Sequence, residues 1–201
     1  MNSALKKIIF GILAIVIVIE LAWAYQTLNP QKTTVKKTTQ EGVVPPPKKE
    51  AAVIPVDAVR LSLLPAKVSF GTGQITNIDI VLNAGTKKIS TADIDLKYDP
   101  NVLQIIKTTP ATKIFNKTLT NKNDEKTGRV NLSLTQTTGS VPVTGKNVIA
   151  TVSIQALKPG LSDLSFTFNG YGETNDSNVL ETGKTNDILG YVEKGILTIT
   201  K

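Results

Sequence analysis

From Asp57 to the C-terminus the apolar residues fall on every second position in short runs, and Gly, Asn, Asp or Pro closes each run. Side chains that alternate with a period of two belong to strands with one dry face and one wet face. In "ITNIDIVL" the dry set is Ile78, Ile80 and Leu82, and in "GRVNLSLTQ" it is Val130, Leu132 and Leu134. In "VIATVSIQA" it is Val148, Ala150, Val152 and Ile154, "LSFTFNG" adds Leu164, Phe166 and Phe168, and the closing "GILTIT" adds Leu197 and Ile199. No stretch of useful length carries the 3.6-residue period of an amphipathic helix, and no internal repeat divides the region. A single dry face per strand must be covered by a second layer. The pattern therefore predicts an all-β domain over residues 57–201, a two-sheet β-sandwich of jelly-roll type with roughly nine strands.

The N-terminal quarter follows different rules. Residues 1–7, "MNSALKK", are predicted to be a cytoplasmic N-terminus, and they precede an apolar run from Ile8 to Tyr25 that only Glu20 interrupts. As a helix this run would span roughly 27 Å, enough to cross a bilayer. Lys6 and Lys7 keep the N-terminus inside and send the rest of the chain out, so the expected location is the cell membrane, single-pass, with the C-terminal domain extracellular. The alternative is a signal peptide cut after Ala22-Trp23-Ala24, which gives a secreted protein. A type IV pilin start is not favoured, because Glu20 lies at the far end of the apolar run. Residues 26–56 are rich in Thr, Lys and Pro, have no period, and read as a disordered linker stiffened at Pro45-Pro46-Pro47.

Composition removes several function classes. The chain has no Cys and no His, which excludes a thiol nucleophile, Cys/His zinc sites, a Ser-His-Asp triad and disulfides. The net charge of +7 divides into +4 over residues 1–56 (7 basic, 3 acidic) and +3 over residues 57–201 (16 basic, 13 acidic). A nearly balanced domain gives no reason to expect a nucleic-acid partner. A monomer without cofactors is expected.

The most informative stretch is "TADIDLKYDP", residues 91–100. Ala92, Ile94, Leu96 and Tyr98 share the inward face, Asp93, Asp95 and Lys97 the outward one, and Asp99-Pro100 ends the strand. Asp99 is expected to bond backbone amides in the turn, and the Tyr98 hydroxyl to need a partner. With its continuation, "ISTADIDLKYDPNVLQII" resembles the third strand of the cohesin domain, which carries a small residue, an Asp, a Tyr-Asp-Pro turn and a Val-Leu-x-Ile-Ile run. "NVIATVSIQALKPGLSDLSF" is similar to the family's later strand pair, and "GYVEKGILTIT" to its final strand.

That resemblance implies a non-catalytic module that receives dockerin, a small calcium-loaded helical partner, in a polysaccharide-associated assembly. The family's recognition positions on this strand fall on Thr91, where type I members often carry Asn, and on Asp93. Asp95 lies on the same face, and Asn131, Ser133 and Thr135 extend it if their strand shares the sheet.

Three alternatives compete with protein docking. Asp93 and Asp95 stand roughly 6.6 Å apart along a strand, an inverting-glycosidase spacing, but two neighbours on one open face both stay hydrated and neither becomes a general acid. Polysaccharide binding, or generic surface adhesion by a domain of the same sandwich superfamily, is the runner-up, yet the sole Trp, Trp23, lies in the apolar segment, and only Tyr171 and Tyr191 are aromatics near polar loops. Glu173, Asp176, Asn178, Glu181 and Asp187 offer calcium-type oxygen ligands in a spacing unlike an EF-hand, and this segment reads as a solvated inter-strand loop.

Overall fold

The computed structural model describes residues 56–201. The predicted N-terminus, the apolar segment of residues 8–25 and the linker up to residue 55 lie outside the described residues. Within them the chain forms twelve strands and no helix: β1 Val59–Leu64, β2 Lys67–Gly71, β3 Ile75–Asn83, β4 Ile89–Lys97, β5 Leu103–Pro110, β6 Lys117–Asp124, β7 Arg129–Thr135, β8 Lys146–Ala156, β9 Gly160–Phe166, β10 Asn178–Glu181, β11 Leu189–Val192 and β12 Gly195–Thr200. One sheet has the order β11-β1-β3-β8-β5, the other β2-β12-β9-β4-β7-β6, with β10 also paired to β4.

The predicted dry faces meet between the sheets. Leu61, Ile78, Ile80, Leu82 and Ile154 from one side pack in a single buried cluster with Ala92, Ile94, Leu96, Leu132 and Leu134 from the other. Burial of a large aliphatic side chain contributes about 1.5–3 kcal/mol, so these facing rows fix which side of β4 and β7 remains outward. One predicted row needs correction. Ile80 pairs with Ala150 and Val81 with Val148, which makes Ile149 the extra residue of a bulge in β8. The bulge turns Ile149 into the core, fully buried, and leaves Val148 39% exposed.

The strand count exceeds the nine expected because several strands lack an apolar period. In β6 Leu119 is the sole apolar residue, and the positions that meet β5 are asparagines: Asn121 Nδ2 donates to the Thr108 carbonyl at 2.9 Å and Asn123 Nδ2 to the Ile105 carbonyl at 3.4 Å. Side-chain amides thus close the sandwich at this edge where the other strands use aliphatic groups. The β6–β7 turn is held by Gly128, at φ +64°, whose carbonyl accepts the Tyr98 amide; a Cβ there would stand 2.2 Å from the Tyr98 carbonyl oxygen.

Candidate functional site

Strands β4 and β7 are antiparallel neighbours, and their register places Thr91 opposite Thr135, Asp93 opposite Ser133 and Asp95 opposite Asn131. All six residues singled out in the sequence therefore form three cross-strand pairs on one sheet. The intervening positions, Ala92 with Leu134, Ile94 with Leu132 and Leu96 with Val130, are buried. Adjacent strands lengthen the rows: Asp93 is flanked by Asn178 of β10, and Ser133 by Thr120 of β6. The result is a polar row Asn178, Asp93, Ser133, Thr120 running across four strands. The sequence offered no apolar alternation in β6 or β10 by which these flanks could have been placed.

Hydrogen bonds fix the side chains. The hydroxyls of Thr91 and Thr135 share a bond of 3.2 Å, and Thr135 Oγ1 also reaches the Ser90 carbonyl at 3.1 Å. Ser133 Oγ donates to Asp93 Oδ1. Asp93 remains only partly buried and keeps Oδ2 and further lone pairs for an incoming donor.

Asp95 departs from the expectation that it stands hydrated beside Asp93. It is 6% exposed, and Arg129 grips it with two bonds, Nε to Oδ1 at 3.2 Å and Nη2 to Oδ2. The cause is tertiary. Strand β4 pairs with β10 up to Asp93 and with β9 from Leu96 onward, and the chain between β9 and β10 loops over the gap. Ser177, fully buried, patches the missing ladder: its hydroxyl accepts the Asp95 amide at 3.1 Å, and the Thr167 amide donates to the Asp95 carbonyl at 2.7 Å. With Asp95 held in an ion pair by Arg129, the two acids make no general acid and base pair.

Other expectations fall as follows. The Tyr98 hydroxyl donates to Asn123 Oδ1 at 2.9 Å, and burial pushes the phenol above its usual range. Asp99 Oδ1 accepts the Asn101 amide at 2.9 Å, the predicted turn bond. Tyr191 lies on the opposite sheet with the Arg60 guanidinium 4.4 Å from its ring centroid, so one ring face is already covered.

The supposed solvated loop is partly interior, because Asp176 and Asp187 are 8% and 2% exposed. Asp187 Oδ1 accepts the amides of Val179 at 2.8 Å and Leu189 at 3.0 Å, Asp176 Oδ2 accepts the Asn169 amide, and burial pushes both carboxyls up. Glu181 instead pairs with Lys184 at 2.6 Å. Among the described residues no three His, Cys, Asp or Glu side chains group so as to hold a metal ion.

Residues 62–193 match the model of the cohesin domain family. Solved structures of the same fold include the solution structure of the cohesin CaCohA2 from Clostridium acetobutylicum, 17% identical, with 72% of this chain and 92% of that one covered at a TM-score of 0.58. A chain of a type I cohesin–dockerin complex from Clostridium thermocellum is 15% identical, covering 71% of this chain and 99% of that one, also at 0.58. A non-cellulosomal cohesin from the archaeon Archaeoglobus fulgidus is 9% identical, with 72% and 92% covered at 0.54. No curated protein matches the chain. The family match spans well over half of the 201 residues, and the chain belongs to the cohesin domain family, whose members are non-catalytic binding modules and not enzymes.

Proposed function

We propose that the domain receives a dockerin-type module on the outward face of β4 and β7 and holds it at the cell surface, in a polysaccharide-associated assembly, through the N-terminal apolar segment and the cationic linker. The observation that carries this reading is the register that assembles Thr91, Asp93, Ser133 and Thr135 into one hydrogen-bonded polar patch, with the exposed Leu119 of β6 on the same sheet. A sheet face with preset donors and acceptors suits a helical partner, because the side chains lose little freedom on docking. Two relatives of the same fold were solved bound to dockerins, in complexes from C. thermocellum and of CaCohA2.

The test is calorimetric titration against a panel of calcium-loaded dockerins. Asp93→Lys should leave the thermal midpoint nearly unchanged and weaken the partner by about 2 kcal/mol or more, roughly thirtyfold, as expected for reversing an interfacial charge. Unchanged affinity in this variant would place the docking surface elsewhere. Failure of every dockerin to bind, with retention of the protein on a polysaccharide, would move the assignment to a carbohydrate-binding module.

A further inference from the structure

Within the docking face, bounded by the chain between β9 and β10, a recess of about 170 Å³ opens in the sheet. Its walls carry three carboxylates, Asp93, Asp95 and Asp176, together with Thr120, Asn131 and Ser133. Asp93 and Asp95 have partners in Ser133 and Arg129. Asp176 differs: the residue is 8% exposed, its Oδ2 accepts the Asn169 amide, and its Oδ1 has no hydrogen-bond partner.

A buried carboxylate oxygen left unpaired is costly, and the cost is relieved by a positive group brought to it. Burial, then the charges of Glu173 and Asp95, hold the Asp176 carboxyl above its usual range, which is the direction expected of an acid with no counter-ion beside it. Of the cations on this face, Arg129 is already committed to Asp95, and Lys122 of β6, opposite Asn131, stands exposed to solvent. A calcium ion would demand six to eight oxygens. Here two of the carboxylates are engaged, and among the described residues no three acids group for a metal. An ammonium or guanidinium needs only three to five acceptors, which the remaining lone pairs of Asp93 and the Asn131 and Ser133 side chains can supply, with the Asp176 carboxylate in the wall as the opposite charge. At about 30 Å³ per water the recess has the volume of five or six waters, room for the end of one long side chain.

We propose that this recess is a subsite for a lysine or arginine side chain of the docked partner, with Asp176 as its counter-ion. The assignment rests on the docking reading above and adds the chemistry of one partner residue to it. Asp176→Asn is the informative variant, because the amide's oxygen can still accept from Asn169 while the negative charge is lost. The full-length chain and this variant are titrated with a dockerin that binds the wild type, and with alanine variants of that dockerin's Lys and Arg residues. Asp176→Asn is expected to melt no lower than the wild type and to bind tenfold or more weakly, and the loss should vanish against one dockerin variant lacking a single basic residue. Equal losses against every dockerin variant, or no loss, overturn the subsite while leaving docking in place.

If no dockerin binds, the docking reading fails and a second arm decides the subsite: n-butylguanidinium and calcium chloride are titrated separately into the isotope-labelled chain. Amide shifts at Asp93, Ser133 and Asp176 with n-butylguanidinium, absent in Asp176→Asn, support a cationic side-chain site. Shifts with calcium alone, or with neither, overturn it.

Discussion

Replacing Arg129 by Met should destabilise the domain far more than an exposed-charge substitution would. The two halves of the ion pair sit in different environments: the Asp95 side chain is 9% exposed, whereas that of Arg129 is 42% exposed. Breaking a fully buried pair costs about 3–5 kcal/mol, mostly for the charge left behind, and breaking a surface pair costs about 0–1 kcal/mol. In this pair the residue left behind is the buried one, while the solvent near Arg129 screens part of the attraction, so about 2 kcal/mol is expected. Met preserves the apolar stem and removes only the guanidinium.

For a domain of this size 1 kcal/mol moves the midpoint by about 3–4 °C, so Arg129→Met should melt about 6–8 °C below the wild type. Urea denaturation of Arg129→Met, Asp95→Asn and the double variant completes a cycle, in which most of the Arg129→Met cost should disappear once Asp95 is neutral. Asp93→Asn provides the contrast. Its single side-chain bond comes from Ser133, an amide oxygen can accept it, and the change should stay within about 0.5 kcal/mol. An Arg129→Met protein within about 0.5 kcal/mol of the wild type would refute the claim that Asp95 is a buried, partner-dependent carboxylate.

Two further outcomes are expected. Asp176 and Asp187 both have carboxyls raised by burial above 3.8, so the folded state keeps their protons to higher pH than the unfolded state does; their ionisation penalises folding, fully above the folded values and not at all below the unfolded ones. The thermal midpoint should therefore rise as the pH is lowered from neutrality through the raised carboxyl values of Asp176 and Asp187, before the acids Asp57, Asp124 and Glu181, whose carboxyls are lowered by their partners, lose those contacts near and below their ordinary range. Asp187→Asn should flatten the rise, and a slope identical in that variant would remove Asp187 from the account. Trypsin added to intact cells should cut the lysine-rich linker and release a folded fragment beginning near residue 50, and complete protection until the membrane is broken would contradict a tethered, exported domain.

What the sequence made legible was governed by the core. Ile94 and Leu96 in β4 and Leu132 and Leu134 in β7 alternate strictly, and strict alternation fixes both the strand and the side on which Thr91, Asp93, Ser133 and Thr135 stand. The pairing of the two strands is a tertiary fact that alternation does not contain. Where the apolar period is absent the strand is illegible: β6 closes the sandwich with Asn121 and Asn123, side chains that in sequence read as loop. A one-residue bulge was equally hidden, since Val148 and Ile149 are both aliphatic and only the register with Ile80 and Val81 decides which enters the core. The burial of Asp95 depends on Ser177, 82 residues further along, and Asp176 bonds the backbone of Asn169, so no local pattern announces either.

The hydrogen bonding of the patch also bears on how it can bind. Thr91 with Thr135 and Asp93 with Ser133 are satisfied within the chain, so a partner gains little from displacing either bond. It gains instead by donating to the lone pairs that remain, chiefly on Asp93 Oδ2, against side chains whose rotamers are already held. Such a face offers specificity through fixed acceptor positions more than affinity through new order. The apolar contribution must come from its margins, where Leu119 is 56% exposed on β6, and the charge contribution from the recess beside Asp176. A rigid central patch with the exposed Leu119 toward β6 and the buried Asp176 carboxylate toward β10 is asymmetric about the β4–β7 axis, and a partner that presents hydroxyls, an aliphatic group and a basic side chain in a set order can engage it in one orientation only.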